Sequence, residues 1–382
     1  MKQYKLMFVY GFAIFAMFFG SGNLVFPLQI GHLAGSNWGV AFGGLFLTGI
    51  VLPFLGLFVI KLHKGNYLSF FGEAGTLAAT ILPLFMLSLL GAFGVVPRCI
   101  TVAHGGMNYL LNDLSLPIFS LIFCVLTYIM CLKDHIMVNL LGKWMSPLLL
   151  MALSILIIVG IIYAPHTEIN IDYNTAFLSG FLTGYQTMDL FAAFFFSALI
   201  FSQIQAILPK TNDHRTIIKA ALKPSIVGAT MLAIVYLGFV FLGAHYGHMI
   251  LNVTPELMLP TIATHTLGAS AALIIAVAIL FSCLTTAVAL NNIYARYIVD
   301  TLKLKTNYFP WVLLGTTSIS FLISLLDFKG IAGFLAPILE ISYPGLIALT
   351  IMSIFIRDHK QIKIFAFYTI TFAMVIWRYI LG

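Results

Sequence analysis

Apolar residues in this chain run in long blocks separated by short polar connectors. The pattern predicts eleven membrane-spanning helices, over residues 6–30, 38–60, 77–111, 116–132, 138–163, 177–208, 217–246, 267–297, 309–326, 331–356 and 362–381. Most reach the about 20 apolar residues that cross a bilayer, the fourth and ninth falling short. Two blocks are interrupted. Gly20-Ser21-Gly22-Asn23, followed by Pro27, breaks the first, and Gly184-Tyr185-Gln186-Thr187-Met188-Asp189 breaks the sixth. Irregular backbone at membrane depth is viable only where it is buried in protein or lines a cavity.

The two breaks fall at corresponding places in two halves of the chain, which is where a secondary transporter holds its cargo. A weak internal echo also divides the chain: Gly142-Lys-Trp-Met-Ser-Pro147 and Gly333-Phe-Leu-Ala-Pro337 each precede an apolar helix. The halves are read as residues 1–163, the first five-helix repeat, and 177–356, the second, with 164–176 as an external connector and 357–382 as a peripheral helix 11. Five is an odd number, so the repeats insert with opposite orientation. The expected fold is an all-α integral membrane protein with a 5+5 inverted repeat and broken helices 1 and 6.

Composition agrees. Of 382 residues, 61% are hydrophobic and only 8% charged, where a soluble domain carries about a quarter charged residues. The first apolar run is too long for a cleavable signal and lacks a small-residue cleavage site. A net charge of +7 invites a nucleic-acid reading, but its placement argues against one. With the N-terminus in the cytoplasm, Lys2, Lys5, Lys61, Lys64, Lys133, Lys143, Lys210, Arg215, Lys219, Lys223, Arg296, Lys303, Lys305, Arg357, Lys360 and Lys363 all fall on the inner side. Lys329 and Arg378 fall outside and Arg98 within a span, while Asp113, Glu168, Asp172, Glu256 and Asp327 sit in external loops. That asymmetry is a topology signal for a multi-pass protein of the inner (cytoplasmic) membrane. There is no Walker A motif, so ATP is not the expected energy source, and no motif for an organic cofactor. Nor is there an HExxH, GxSxG or paired-aspartate motif, so an intramembrane enzyme is not expected. Cys99, Cys124, Cys131 and Cys283 lack zinc-ligand spacing and read as small core residues.

The stretch Phe15-Ala-Met-Phe-Phe-Gly-Ser-Gly-Asn-Leu-Val-Phe-Pro27 resembles the opening signature of the bacterial branched-chain amino acid:cation symporters (the BrnQ-type, or LIVCS, family). Pro97-Arg98-Cys-Ile-Thr101-Val, Gly184-Tyr-Gln-Thr-Met-Asp189, Cys283-Leu-Thr-Thr-Ala-Val288 and Tyr343-Pro344 resemble further family motifs, in the same order, over about residues 7–356. The resemblance implies the leucine-transporter type of fold and Na⁺-driven uptake of leucine, isoleucine and valine by alternating access. The chain departs from the family at Ala103-His104-Gly105, where a glutamate is usual, at Gln186, at Asn291-Asn292, and in lacking a final span. Those departures bear on substrate range and on whether Na⁺ or H⁺ is the coupling ion.

The residues themselves suggest a division of labour. At the first break the freed amides of Ser21 and Gly22, beside Asn23, face an anion with the positive end of a half-helix dipole behind them, which suits an amino acid's carboxylate. At the second, carbonyls around Tyr185, Gln186 and Thr187 are placed to accept from the substrate ammonium. Three roles stay open for Asp189: ammonium ligand, ion ligand, or support for the broken helix. Thr101 is read as lining the cavity. Ser282, Thr285 and Thr286, at i, i+3 and i+4, share one helical face, and hard cations prefer oxygen ligands. The fold resemblance adds the Ala16 and Phe19 carbonyls to that Na⁺ set. Arg98 is costly at mid-span and needs a partner among Asp189, Glu340 and unwound carbonyls, with a gating or scaffold role. His104 and Glu340 are the candidate proton carriers, each with a structural hydrogen bond as the plainer reading.

Overall fold

A chain in lipid must pair its backbone amides within each segment, and every apolar block becomes helix wherever it is described. The computed structural model describes residues 2–111, 114–132, 146–167, 171–207, 214–356 and 358–381, all-helical with no β-strand among them. Lys133, Gly142, Lys143, Lys210, Arg357, Asp113 and Glu168, and the beginning of the fifth block, lie outside the described residues.

The first block gives α1 (Lys2–Phe18) and α2 (Ser21–Ala34), bent by 70° at the break. The second gives α3 (Trp38–Leu62), with a π-helical turn at Leu47–Val51. The third gives α4 (Thr76–Leu90) and α5 (Val95–Asn108), followed by α6 (Leu116–Leu132) and α7 (Ser146–Ile162). The second half opens with α8 (Tyr173–Gln186) and α9 (Asp189–Ile207). It continues through α10 (His214–His245), α11 (Met258–Leu267) and α12 (Ala269–Thr301). α13 (Phe309–Ser324), α14 (Asp327–Phe355) and α15 (Lys360–Ile376) complete it. Among the described residues six helices are long and apolar enough to cross a membrane, seven if the bent pair α1–α2 is one span. The chain is a multi-span membrane protein.

The centre is built by α1, α2, α3, α8, α9 and α10. α3 packs along both α8 and α9, and α10 along both α1 and α2. Apolar burial does not drive helices together in lipid, so close contact depends on small residues. A Cβ at Gly180 would stand 1.9 Å from the Ala41 carbonyl oxygen, and one at Gly31 would stand 1.9 Å from that of Val240. Thr48, in the π-helical turn, donates to the Phe181 carbonyl at 2.7 Å and ties α3 to α8. α5 and α12 form a second close pair behind the breaks, and α15 packs against α14 at the edge.

The third block is one span, Thr76–Asn108, with a turn at residues 91–94 inside it, after which α5 restarts at Val95. A Cβ at Gly94 would fall 2.3 Å from the Leu89 carbonyl oxygen, so glycine is what lets the helix re-enter there.

Candidate functional site

At the first break, Asn23 folds back on its own backbone: its Oδ1 accepts the Gly20 N–H at 3.2 Å. Two consequences follow from sequence alone. The first N–H groups of α2 have no intrahelical partner, and Pro27, lacking an N–H, leaves the Asn23 carbonyl without its helical donor.

The second break turns on Met188, whose φ of 59° lies in the left-handed region, an uncommon conformation for a side chain of that kind. Thr187 steadies it, donating from Oγ1 to the Gly184 carbonyl at 2.9 Å and accepting the Asp189 N–H at 3.4 Å. α9 then begins at Asp189.

The two breaks meet. Asn23 Nδ2 donates to Asp189 Oδ2 at 2.8 Å, and the Tyr236 hydroxyl of α10 donates to the same oxygen at 2.9 Å. Asn23 Nδ2 is also in contact with the Tyr236 hydroxyl. All three residues are buried, where an unpaired carboxylate would be very costly. A small cavity lies between the breaks. Gly20, Gly22 and Asn23 line it from the first break, Thr187, Met188 and Asp189 from the second, and Thr286 from α12. Its apolar wall is Met17, Phe18, Leu90, Val95, Ala192, Phe196 and Leu290. The lining is thus half apolar, with aliphatic and aromatic side chains, and half made of the polar and glycine residues of the breaks and Thr286.

Arg98, fully buried on α5, donates from Nη1 to the Gln186 carbonyl at 2.7 Å and stacks over the Phe26 ring at 5.3 Å. A cation is thereby set at the C-terminal end of α8, where the helix dipole favours one. Of the partners considered for Arg98, an unwound carbonyl is the one found. The guanidinium clamps α5, α8 and α2 together. Tyr185 faces away from the cavity, its ring 4.5 Å from that of Tyr343, which in turn lies 4.9 Å from Phe191.

On α12 the Ser282 hydroxyl donates to the Phe19 carbonyl at 2.9 Å and Thr285 donates to the Ser282 carbonyl at 2.8 Å. Ala16, Phe19, Ser282 and Thr285 line a crevice between α1, α7 and α12. Thr286 faces the other way, into the central cavity beside Gly20, and its buried Oγ1 has no partner among the described residues. The five residues read as one cation set therefore stand on two adjoining walls.

The Tyr185 carbonyl accepts the Met188 N–H at 3.1 Å and that of Gln186 accepts Arg98 Nη1, each oxygen keeping a second lone pair. Thr101 does not line the cavity, because its hydroxyl bonds back to the Arg98 carbonyl at 3.0 Å. His104 contacts the Leu114 carbonyl at 2.6 Å and packs on Phe119, which makes it a fastener for the following loop. Glu340 lies 3.7 Å from Arg378 on the α15 side and is not brought to the breaks. Tyr236 was missed because one tyrosine in an apolar helix carries no motif. Leu90 and Val95 were missed with the turn at 91–94, for which Gly91 and Gly94 were the available signal.

The family model for branched-chain amino acid transport proteins matches residues 3–379. The chain belongs to that family. This family member is 28% identical over 366 residues to the branched-chain amino acid permease BraB of Bacillus subtilis, the match covering 92% of this chain and 80% of BraB. To the branched-chain amino acid permease BrnQ of Escherichia coli it is 27% identical over 351 residues, covering 90% and 79%. These relatives are permeases, not enzymes. The fold is shared with MHP1, a nucleobase-cation-symport-1 family transporter, at a TM-score of 0.64 and 15% identity, covering 95% of this chain and 80% of that one. It is shared too with MhsT, solved with L-phenylalanine, at a TM-score of 0.56 and 14% identity, covering 96% and 97%.

Proposed function

We propose that this protein is a secondary transporter that carries leucine, isoleucine and valine into the cytoplasm by Na⁺-coupled symport. The observation that carries the reading is the meeting of two helix breaks at one small, half-apolar cavity, joined through Asn23 and Asp189. An α-amino acid carries an anion, a cation and a side chain. The carboxylate goes to the amides of Ser21 and Gly22, the aliphatic side chain to the wall that includes Phe18, Leu90, Val95 and Phe196. The ammonium goes to the Asn23 carbonyl, with Thr187 and Asp189 nearby. An aliphatic pocket discriminates by only about 1–3 kcal/mol per methylene, so mixed branched-chain transport is expected. The names of the BraB and BrnQ relatives support this substrate class.

The packing supports a 5+5 inverted repeat within eleven spans. Exchanging the first half for the second turns the α1–α10 and α2–α10 contacts into the α8–α3 and α9–α3 contacts, and all four pairs are closely packed. The same exchange turns α7–α10 into α14–α3. Na⁺ is assigned to the Ala16 and Phe19 carbonyls with Ser282 and Thr285, and Thr286 at the cavity edge is the fifth oxygen source, between ion and cargo. Arg98 closes the outer side by holding the end of α8, and α1, α2, α3, α8, α9 and α10 rock against α5 and α12. The inner-membrane setting, with the N-terminus in the cytoplasm, follows from the charge asymmetry.

The test is radiolabelled leucine uptake into proteoliposomes under an inward Na⁺ gradient, with choline replacing Na⁺ in the control. Na⁺-dependent accumulation that disappears in Thr285→Ala/Thr286→Ala is expected. Uptake that ignores Na⁺ and follows a pH gradient would favour the second reading, an H⁺-coupled symporter of apolar amino acids. Asp189, buried between the breaks, would then carry the proton in place of His104 or Glu340. Absence of uptake under both gradients removes the substrate assignment.

A further inference from the structure

Two cysteines stand together one helical turn from the cavity. α5, with the turn before it, packs along α12. A Cβ at Gly91 would meet the Tyr294 ring at 2.6 Å, and one at Gly106 would lie 3.5 Å from Ile279. Between those points Cys99 of α5 faces Cys283 of α12, the two thiols near enough to interact and both side chains fully buried. The Cys99 thiol also donates to the Ser21 hydroxyl at 3.5 Å, reaching the first helix break. Val95, one turn before Cys99, and Thr286, one turn after Cys283, both line the cavity. The thiol pair therefore sits on the same two helix faces as the cavity wall.

We propose that Cys99 and Cys283 form a site of reversible oxidative modification, in which a small hydroperoxide entering by the cavity joins them as a disulfide. The chemistry is self-contained once that oxidant is named. One thiol, as thiolate, attacks the peroxide; the O–O bond breaks, water leaves, and the sulfur becomes a sulfenic acid. The second thiol attacks that sulfur, the S–O bond breaks, and the hydroxyl departs with the second proton as water. Two thiols and one hydrogen peroxide give one disulfide and two waters, with two electrons passing from sulfur to oxygen. A disulfide requires Cα atoms about 4.4–6.8 Å apart, a separation within reach of helices packed along one another as α5 and α12 are. The Cys124 and Cys131 thiols instead donate to the Thr317 and Val288 carbonyls at 3.8 Å and 3.4 Å.

Linkage removes the S–H that Cys99 offers to Ser21, so the modification alters the break at which the carboxylate is placed. That consequence rests on the proposed transport function; the cross-link itself does not.

The experiment treats the folded protein in detergent with hydrogen peroxide, then denatures it, alkylates the remaining thiols, digests it and analyses the peptides by mass spectrometry. A Cys99–Cys283 cross-linked peptide that rises several-fold with peroxide and separates on adding dithiothreitol is expected. It is expected to persist in Cys124→Ala/Cys131→Ala and to vanish in Cys99→Ala and in Cys283→Ala, small replacements whose folding is checked by size-exclusion profile. Peroxide treatment that leaves Cys99 and Cys283 fully alkylatable, or cross-links other cysteines, overturns the proposal and leaves the pair as packed core residues. A second arm follows leucine uptake: a several-fold loss after peroxide, reversed by dithiothreitol and absent in Cys283→Ala, is the expected functional readout. A cross-link without any change in uptake would overturn its link to the break, while a transport-inactive preparation would count against the proposed function alone.

Discussion

Asn23 and Asp189 are 166 residues apart, and the 2.8 Å hydrogen bond from Asn23 Nδ2 to Asp189 Oδ2 joins the two broken helices at their breaks. The carboxylate also receives Tyr236 from α10. Three elements, the two broken helices and α10, are thus held by one buried acceptor.

Removing a donor from that acceptor has a calculable effect. Hydrogen bonds to charged groups contribute about 1.5–3 kcal/mol each, so Asn23→Ala is expected to weaken leucine binding roughly 10- to 100-fold. Equilibrium binding of labelled leucine to purified protein measures it. An affinity within twofold of wild type would show that the Asn23–Asp189 bond does not shape the site.

Arg98 is expected to resist conservative replacement. Lysine has no planar fork to reach the Gln186 carbonyl while stacking on Phe26. Arg98→Lys should therefore lose the clamp at the end of α8. Leaving a buried carbonyl unpaired costs about 1–3 kcal/mol, which a lowered thermal midpoint in detergent would report alongside reduced uptake.

The crossing of α3 and α8 gives a purely steric prediction. Gly180→Ala places a methyl 1.9 Å from the Ala41 carbonyl oxygen, whereas Gly39 in α3 has open space around its Cβ position. Overpacking costs about 1–3 kcal/mol or more. Gly180→Ala should give little monodisperse protein while Gly39→Ala elutes as wild type, and equal size-exclusion profiles would contradict the crossing.

His63 follows the end of α3 and predicts a pH dependence. Burial, the larger cause, holds its imidazole below the ordinary histidine value; Glu73 pulls it up and Lys363 pushes it down again. Lys363 itself bonds Glu73 at 2.8 Å. A histidine depressed in the folded state binds fewer protons there than in the unfolded chain. Its contribution is complete above the unfolded value of about 6.5 and is lost as the pH falls below it. The thermal midpoint of the wild type should drop more steeply than that of His63→Asn between pH 7 and pH 5.

What was legible in the sequence was whatever depends on local chemistry. Long apolar blocks, basic residues on one side, and two polar interruptions fix a helical membrane protein with two irregular segments, because lipid forbids unpaired backbone. The motifs around Asn23, Arg98, Asp189 and Thr285 placed the chain in its family. The tertiary structure alone decided who meets whom. Arg98 had several candidate partners in the sequence, and packing chose a carbonyl. Glu340 and His104 carried the right chemistry for protons, yet their helix faces turn them toward Arg378 and a loop. Tyr236 carried no motif, and Leu90 and Val95 only the glycines of the turn between them. Tyr236 reaches Asp189, and Leu90 and Val95 the cavity wall, through long-range juxtaposition that is written in no single segment.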